Sequence, residues 1–167
     1  MITKRYLIVA LIILCSGALK AQEYTLAQDR LKTIYTFNFL KDIQWPSYLS
    51  DDAIQICALG RIELYEELKN LNTKEIGGRK LNINKISKLS ECNTCDLIFI
   101  DYASKEFKRD GDCSSLIITF GFFDKSLSNV VLMFQEQKLQ FSINRALCDK
   151  YGYKVSGHLI GLSKLKL

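Results

Sequence analysis

One histidine and one proline stand in 167 residues, and each scarcity excludes chemistry. Zinc sites built on imidazole take two or three histidines, and this chain has only His158. Placed beside Gly157, His158 reads as a structural or surface residue rather than a base. One proline among nine glycines excludes collagen-like and proline-rich linkers. No G-x-G-x-x-G and no P-loop occurs, and Gly77-Gly78 reads as a turn pair rather than a phosphate cradle. No Ser-His-acid set can be assembled. Asp96 and Asp101 bracket a strand, and Glu63, Glu66 and Glu67 read as a solvated helix face. What is present is 48% hydrophobic and 25% charged, the composition of one compact domain rather than a disordered tail. No catalytic residue, metal or cofactor is expected.

Apolar runs of membrane-spanning length are also absent. The longest, Tyr6–Leu14, falls short of the roughly 20 residues a bilayer needs. Lys4 and Arg5 precede it and Ala18-Leu-Lys-Ala21 follows, which is the layout of a secretory signal peptide. The expectation is a signal over 1–21, cleaved after Ala21, and a mature periplasmic domain over 22–167. Leu14, a large residue before Cys15, argues against lipid attachment. The formal charge of +5 falls by three to +2 once Lys4, Arg5 and Lys20 are removed. Lys69, Lys74, Arg79, Lys80, Lys85 and Lys88 are interspersed with acids and apolar residues, so no nucleic-acid partner is expected.

Within the mature chain, residues 24–43 read as a helix with Leu31, Ile34, Tyr35, Asn38 and Phe39 on one face. Trp45-Pro46 ends it, because the residue before proline is pushed out of the helical region. Strands are expected at 54–59, 81–86, 97–100 and 116–119, with a helix over 63–71 and a polar helical stretch at 103–110. A hairpin of 129–134 and 139–143 follows, turning at Gln135-Glu-Gln-Lys138. Two short helices close the chain, 145–151 and 155–165, the last with Val155, Leu159 and Leu162 on one face. Short apolar strands alternating with helices predict an α/β fold. Its central sheet is mostly parallel, flanked by helices, with a C-terminal β-hairpin and terminal helices.

Five of the six cysteines survive removal of the signal, and export favours disulfides. Cys92-Asn-Thr-Cys95 is a C-x-x-C, but it precedes a strand instead of opening a helix, so the electrostatic activation of a redox thiol is missing. A zinc site from Cys57, Cys92, Cys95 and Cys113 lacks the two close pairs of a zinc ribbon. Cys57 lies inside one strand and Cys95 at the start of another, so a parallel sheet could set them side by side. That bridge would close 38 residues and contribute about 3–4 kcal/mol in the chain-entropy model. Cys92 and Cys113 both precede strands and could pair at one end of the sheet. Cys148 is left over, either free or joining two molecules.

Several segments taken in order carry a resemblance: YTFNFLKDIQWP (35–46), IQICALG (54–60), GGRKLNI (77–83), CDLIFI (95–100), LIITF (116–120), LQFSIN (139–144) and KVSGHLIGLSKL (154–165). From about Leu31 to Leu165 the chain resembles the YfiR family of exported bacterial regulators. The resemblance implies a non-enzymatic periplasmic α/β protein that binds and restrains an inner-membrane signalling partner, a diguanylate cyclase or a sensor kinase. It also implies a bridge between Cys57 and Cys95, and modulation of the restraint by the oxidation state of the disulfides. The family's second bridge, near the terminal hairpin, has no counterpart, because residues 119–143 contain no cysteine. Ser128-Asn129 replaces a glycine pair, and Gln140–Asn144 lacks the family's arginine and glutamate. Phe37 and Leu40 point away from the expected buried face of the first helix and are the candidate partner-binding or homodimer residues, set against burial of the whole helix. A small-ligand module with a pocket near the sheet edge is the alternative, and a thiol oxidoreductase through Cys92 and Cys95 the third.

Overall fold

The computed structural model describes residues 26–46, 53–101, 107–109, 113–121, 124, 126–136 and 138–163. The expected signal segment 1–21 lies outside the described residues, as does most of the expected helix at 103–110, of which 107–109 have no regular structure.

Apolar runs too short for helices and rich in branched residues set the sheet. Five strands run parallel in the order β4 (Arg79–Lys85), β2 (Ala53–Leu59), β5 (Leu97–Ile100), β6 (Leu116–Phe120), β7 (Val130–Gln135). Antiparallel strands close the two edges. These are β3 (Glu75–Ile76), joined to β4 through Gly77-Gly78, and β8 (Lys138–Ile143), the second arm of the hairpin. Both turn glycines have positive φ, +59° and +80°, which a two-residue hairpin loop of this hand requires. A separate two-stranded ribbon pairs β1 (Ile43–Gln44) with β9 (Lys154–Val155). Val155 therefore belongs to a strand and not to the last helix, because Ser156 caps α4 (Gly157–Leu162) by accepting from Leu159 N–H.

The sheet is buried on both faces, and alternation along each strand divides the core. Ile54, Ile56, Leu97, Phe99, Leu116 and Ile118 face one side. There they meet α1 (26–42), α2 (Ile62–Leu68), α3 (Arg145–Lys150) and α4. Cys57, Leu59, Ile98, Ile100 and Ile117 face the other. Among the described residues that second side is covered by the 3-10 segment Leu89–Thr94, Cys113, Leu127 and Phe107 rather than by a regular α-helix. Both disulfides lie in this cover, beneath which Ile98, Ile100 and Ile117 are fully buried.

The first helix sits rotated from the expected orientation. Its inward residues are Asp29, Lys32, Thr33, Thr36, Phe39 and Leu40. Leu31 (40% exposed) and Ile34 (48%) turn to solvent, and Asn38 is exposed. Phe39 is buried as expected, but apolar spacing misplaced the rest of the face because the N-terminal half of the true inward face is polar.

Candidate functional site

Three places concentrate chemistry: a charged ring, the disulfide face and an apolar groove. The ring is built where β2 and β5 end. From β2 the chain crosses to β4 on one side and returns to β5 on the other, so these neighbours flank the topological switch of the sheet. In open α/β sheets, ligands bind outside the carboxyl ends of such strands. Here Arg61, just after β2, and Asp101, just after β5, meet Asp29 and Lys32 from α1. Lys32 Nζ donates to Asp29 Oδ1 at 2.9 Å and to Asp101 Oδ1 at 2.8 Å. Arg61 donates from Nη2 to Asp29 Oδ1 at 2.7 Å and from Nε to Asp101 Oδ2 at 2.6 Å. Two acids and two bases thus alternate around a closed ring. The Lys32 ammonium also lies 3.6 Å from the centroid of the Phe120 ring. Burial acts to lower the Arg61 pKa, but hydrogen bonds to Asp29 and Asp101 outweigh it and the value is raised. The position a ligand takes in related architectures is occupied by the protein's own side chains.

On the opposite face, Cys57 is bridged to Cys95 and Cys92 to Cys113, each pair with Cα atoms 5.8 Å apart. Cys57 pairs in register with Ile98 of β5, and Cys95 lies two residues before that strand begins. The C-x-x-C cysteines are therefore not bonded to each other. The 3-10 segment that holds Cys92 is anchored to the strand ends through Ser115, whose hydroxyl lies 2.9 Å from Cys92 O and 2.8 Å from Cys95 O. Arg109 ties the loop after Cys113, donating to the carbonyls of Cys113 and Ser115 and to Asn129 Oδ1. Cys148 is a free thiol with no exposed surface, so it is not placed to join two molecules. Burial pushes its pKa up to about 11, the reverse of a reactive thiol. Among the described residues no cluster of three or more His, Cys, Asp or Glu could hold a metal ion.

The groove lies between α1, β8 and α4. Leu31, Tyr35, Asn38, Phe39 and Asp42 wall one side, and His158, Leu159 and Leu162 the other. Lys138–Phe141 form the floor, and the volume is about 730 Å³. Phe39 meets Phe141 edge to face at 4.8 Å, which fixes the floor. Leu162 is 48% exposed at the rim, and His158 is exposed beside it. Phe37 and Leu40 are elsewhere. Leu40 is fully buried and Phe37 half-buried against the same core. Helix rotation puts them inside, so the exposed apolar surface of α1 is carried by Leu26, Leu31 and Ile34 instead.

Residues 29–164 match the model of YfiR/HmsC-like proteins. The chain belongs to the YfiR/HmsC-like family. No curated protein matches it. The match covers the groove, the ring and both disulfides, and family membership supports, in general terms, a periplasmic regulator of cyclic-di-GMP signalling that works by binding an inner-membrane partner. No helix among the described residues is long and apolar enough to cross a membrane.

Proposed function

We propose that this YfiR/HmsC-like protein binds the periplasmic part of an inner-membrane signalling protein, a diguanylate cyclase or a sensor kinase, and restrains it through the groove between α1, β8 and α4. The observation that carries the reading is the exposure of Leu31 and Leu162 on opposite walls of one apolar groove. Large apolar side chains gathered at the surface mark interaction sites, whereas scattered ones do not. The two bridges serve as staples of the opposite face, away from the groove, and the absence of the family's hairpin bridge leaves no cysteine in the hairpin with which to switch it. Leu162→Glu tests the reading. The residue is exposed, so the folded protein should unfold at an unchanged temperature while restraint of the partner is lost, read as a rise in cellular cyclic-di-GMP. Unchanged restraint in a folded Leu162→Glu protein would refute it.

A second reading has its own observation. The groove volume falls within the roughly 300–1,000 Å³ of small-molecule sites, and Tyr35, Asn38, Asp42 and His158 supply polar groups around its apolar floor. A ligand module would gain thermal stability from a small molecule in the absence of any membrane protein.

A further inference from the structure

We propose that the outer edge of β8 accepts an extended segment of the partner protein as an added strand, with alternate apolar side chains lying in the groove. The proposal rests on the reading of the groove as a docking surface and specifies the shape of what docks. β8 is the last strand of the seven-stranded sheet, and no described residue pairs with its outer side. The direction of its backbone groups follows from one bond. Gly121 N–H donates to Leu132 O at 2.8 Å, so Val130, Leu132 and Phe134 turn their backbone polar groups toward β6. Val131, Met133 and Gln135 then bond Ser142, Gln140 and Lys138 of β8. Asn144 N–H donating to Asn129 O at 2.8 Å continues the same alternation. Leu139, Phe141 and Ile143 therefore present their N–H and C=O groups outward.

Exposed edges of this kind are normally blunted by shortness, bulges, proline or inward charge. The opposite edge follows that rule, since β3 is two residues long and carries Glu75. β8 does not. Its six pairs with β7 run in continuous register without a bulge, it contains no proline, and its only charge is Lys138 at the start. Leu139 and Phe141 hold the strand rigid by anchoring in the core, so its edge is preorganised for pairing. Side chains alternate along a strand, so an added one would direct every second residue toward Leu31, Tyr35 and Leu162. A second copy is the competing occupant of the edge, and the test separates it from the partner.

The test uses amide hydrogen exchange on the mature protein, with a synthetic strand-forming peptide, Lys-Thr-Val-Thr-Val-Thr-Lys amide, as the probe. In the free protein, Leu139, Phe141 and Ile143 should exchange faster than Gln140 and Ser142. Peptide should slow those three amides by about tenfold or more, and the same peptide N-methylated at alternate residues should not. Protection of the three amides in the free protein would overturn the proposal, because the edge would then be covered by the chain itself or by a second copy. Absence of protection at the solubility limit of the peptide would overturn it too. The two readings separate cleanly. Lost restraint in Leu162→Glu without peptide protection keeps the groove and removes the strand, whereas protection with an unaltered Leu162→Glu does the reverse.

Discussion

Lys32→Met tests what holds α1 to the sheet. The ammonium of Lys32, in a side chain 2% exposed, is shared between two carboxylates whose side chains are equally buried. Methionine keeps the length and the packing on Phe120 but removes the charge. Asp29 and Asp101 would then face each other across one remaining cation, Arg61. Asp29 Oδ2 has no hydrogen-bond partner among the described residues, so none of them already shares its charge through that oxygen. Removing one partner from a buried pair costs about 3–5 kcal/mol, because an uncompensated charge is left out of water. The Arg61 side chain is 36% exposed, so water can replace much of what it contributes. Arg61→Gln should therefore cost about 1 kcal/mol.

The readout is urea unfolding followed by the single tryptophan, Trp45, whose indole lies edge to face on buried Tyr153 at 5.9 Å. With a denaturant slope of about 1–3 kcal/mol per molar, Lys32→Met should move the midpoint down by about 2 M and Arg61→Gln by well under 1 M. Lys32→Met combined with Asp101→Leu should cost less than the two single changes added together, since the double variant retains one acid against one base. A loss below about 1 kcal/mol for Lys32→Met, or a larger loss for Arg61→Gln, would refute the assignment of the ring as the anchor of α1.

Two further outcomes follow from the cysteines. Replacing Cys57 and Cys95 by serine should cost about 4 kcal/mol, and Cys92 and Cys113 about 3 kcal/mol, from loops of 38 and 21 residues; thermal unfolding with and without reductant checks the order. Cys148 should react with a thiol reagent only at the rate of global unfolding. Its folded pKa of about 11 stands above the ordinary 9.0, so its contribution to stability is complete below pH 9 and is lost as pH rises toward 11. Cys148→Ala should flatten that alkaline decline.

The sheet was legible because its strands are buried on both faces and therefore read as unbroken apolar runs. Leu97–Ile100 and Leu116–Phe120 needed no partner information to be recognised. The two disulfides were legible from topology, since Cys57 lies in β2 and Cys92, Cys95 and Cys113 lie just before β5 and β6, neighbouring strands of the parallel sheet. The two-residue strands β1, β3 and β9 were not, because pairing rather than pattern defines an element so short. The orientation of α1 was hidden by chemistry at a distance. Asp101 lies 69 residues from Lys32, and nothing local marks their pairing. Two signals did exist. Asp29 and Lys32 share a face with Thr36, Phe39 and Leu40 at helical spacing, and Arg61 and Asp101 each follow directly on a buried strand or its terminal glycine. Of the groove, the sequence showed its two helical walls and a pocket near the sheet edge as one alternative, but not that the walls meet over β8, since they lie more than a hundred residues apart.

The departures from sequence expectation gather on one helix, and their direction carries an argument. Placing Asp29 and Lys32 inward while Leu26, Leu31 and Ile34 face water loses stability twice, once in desolvating charge and once in leaving apolar area unburied. A helix selected for stability alone would be rotated the other way. The ring fixes this rotation, because only with Asp29 and Lys32 over the ends of β2 and β5 can all four charges close on one another. The same rotation carries Leu31 and Tyr35 to the wall of the groove above β8. Local rules broken together in one element are what a functional surface produces. On the proposed reading, the ring is the structural cost of presenting an apolar wall beside a strand edge that no described residue pairs, and a variant that relaxed the ring should lose the groove before it loses the sheet.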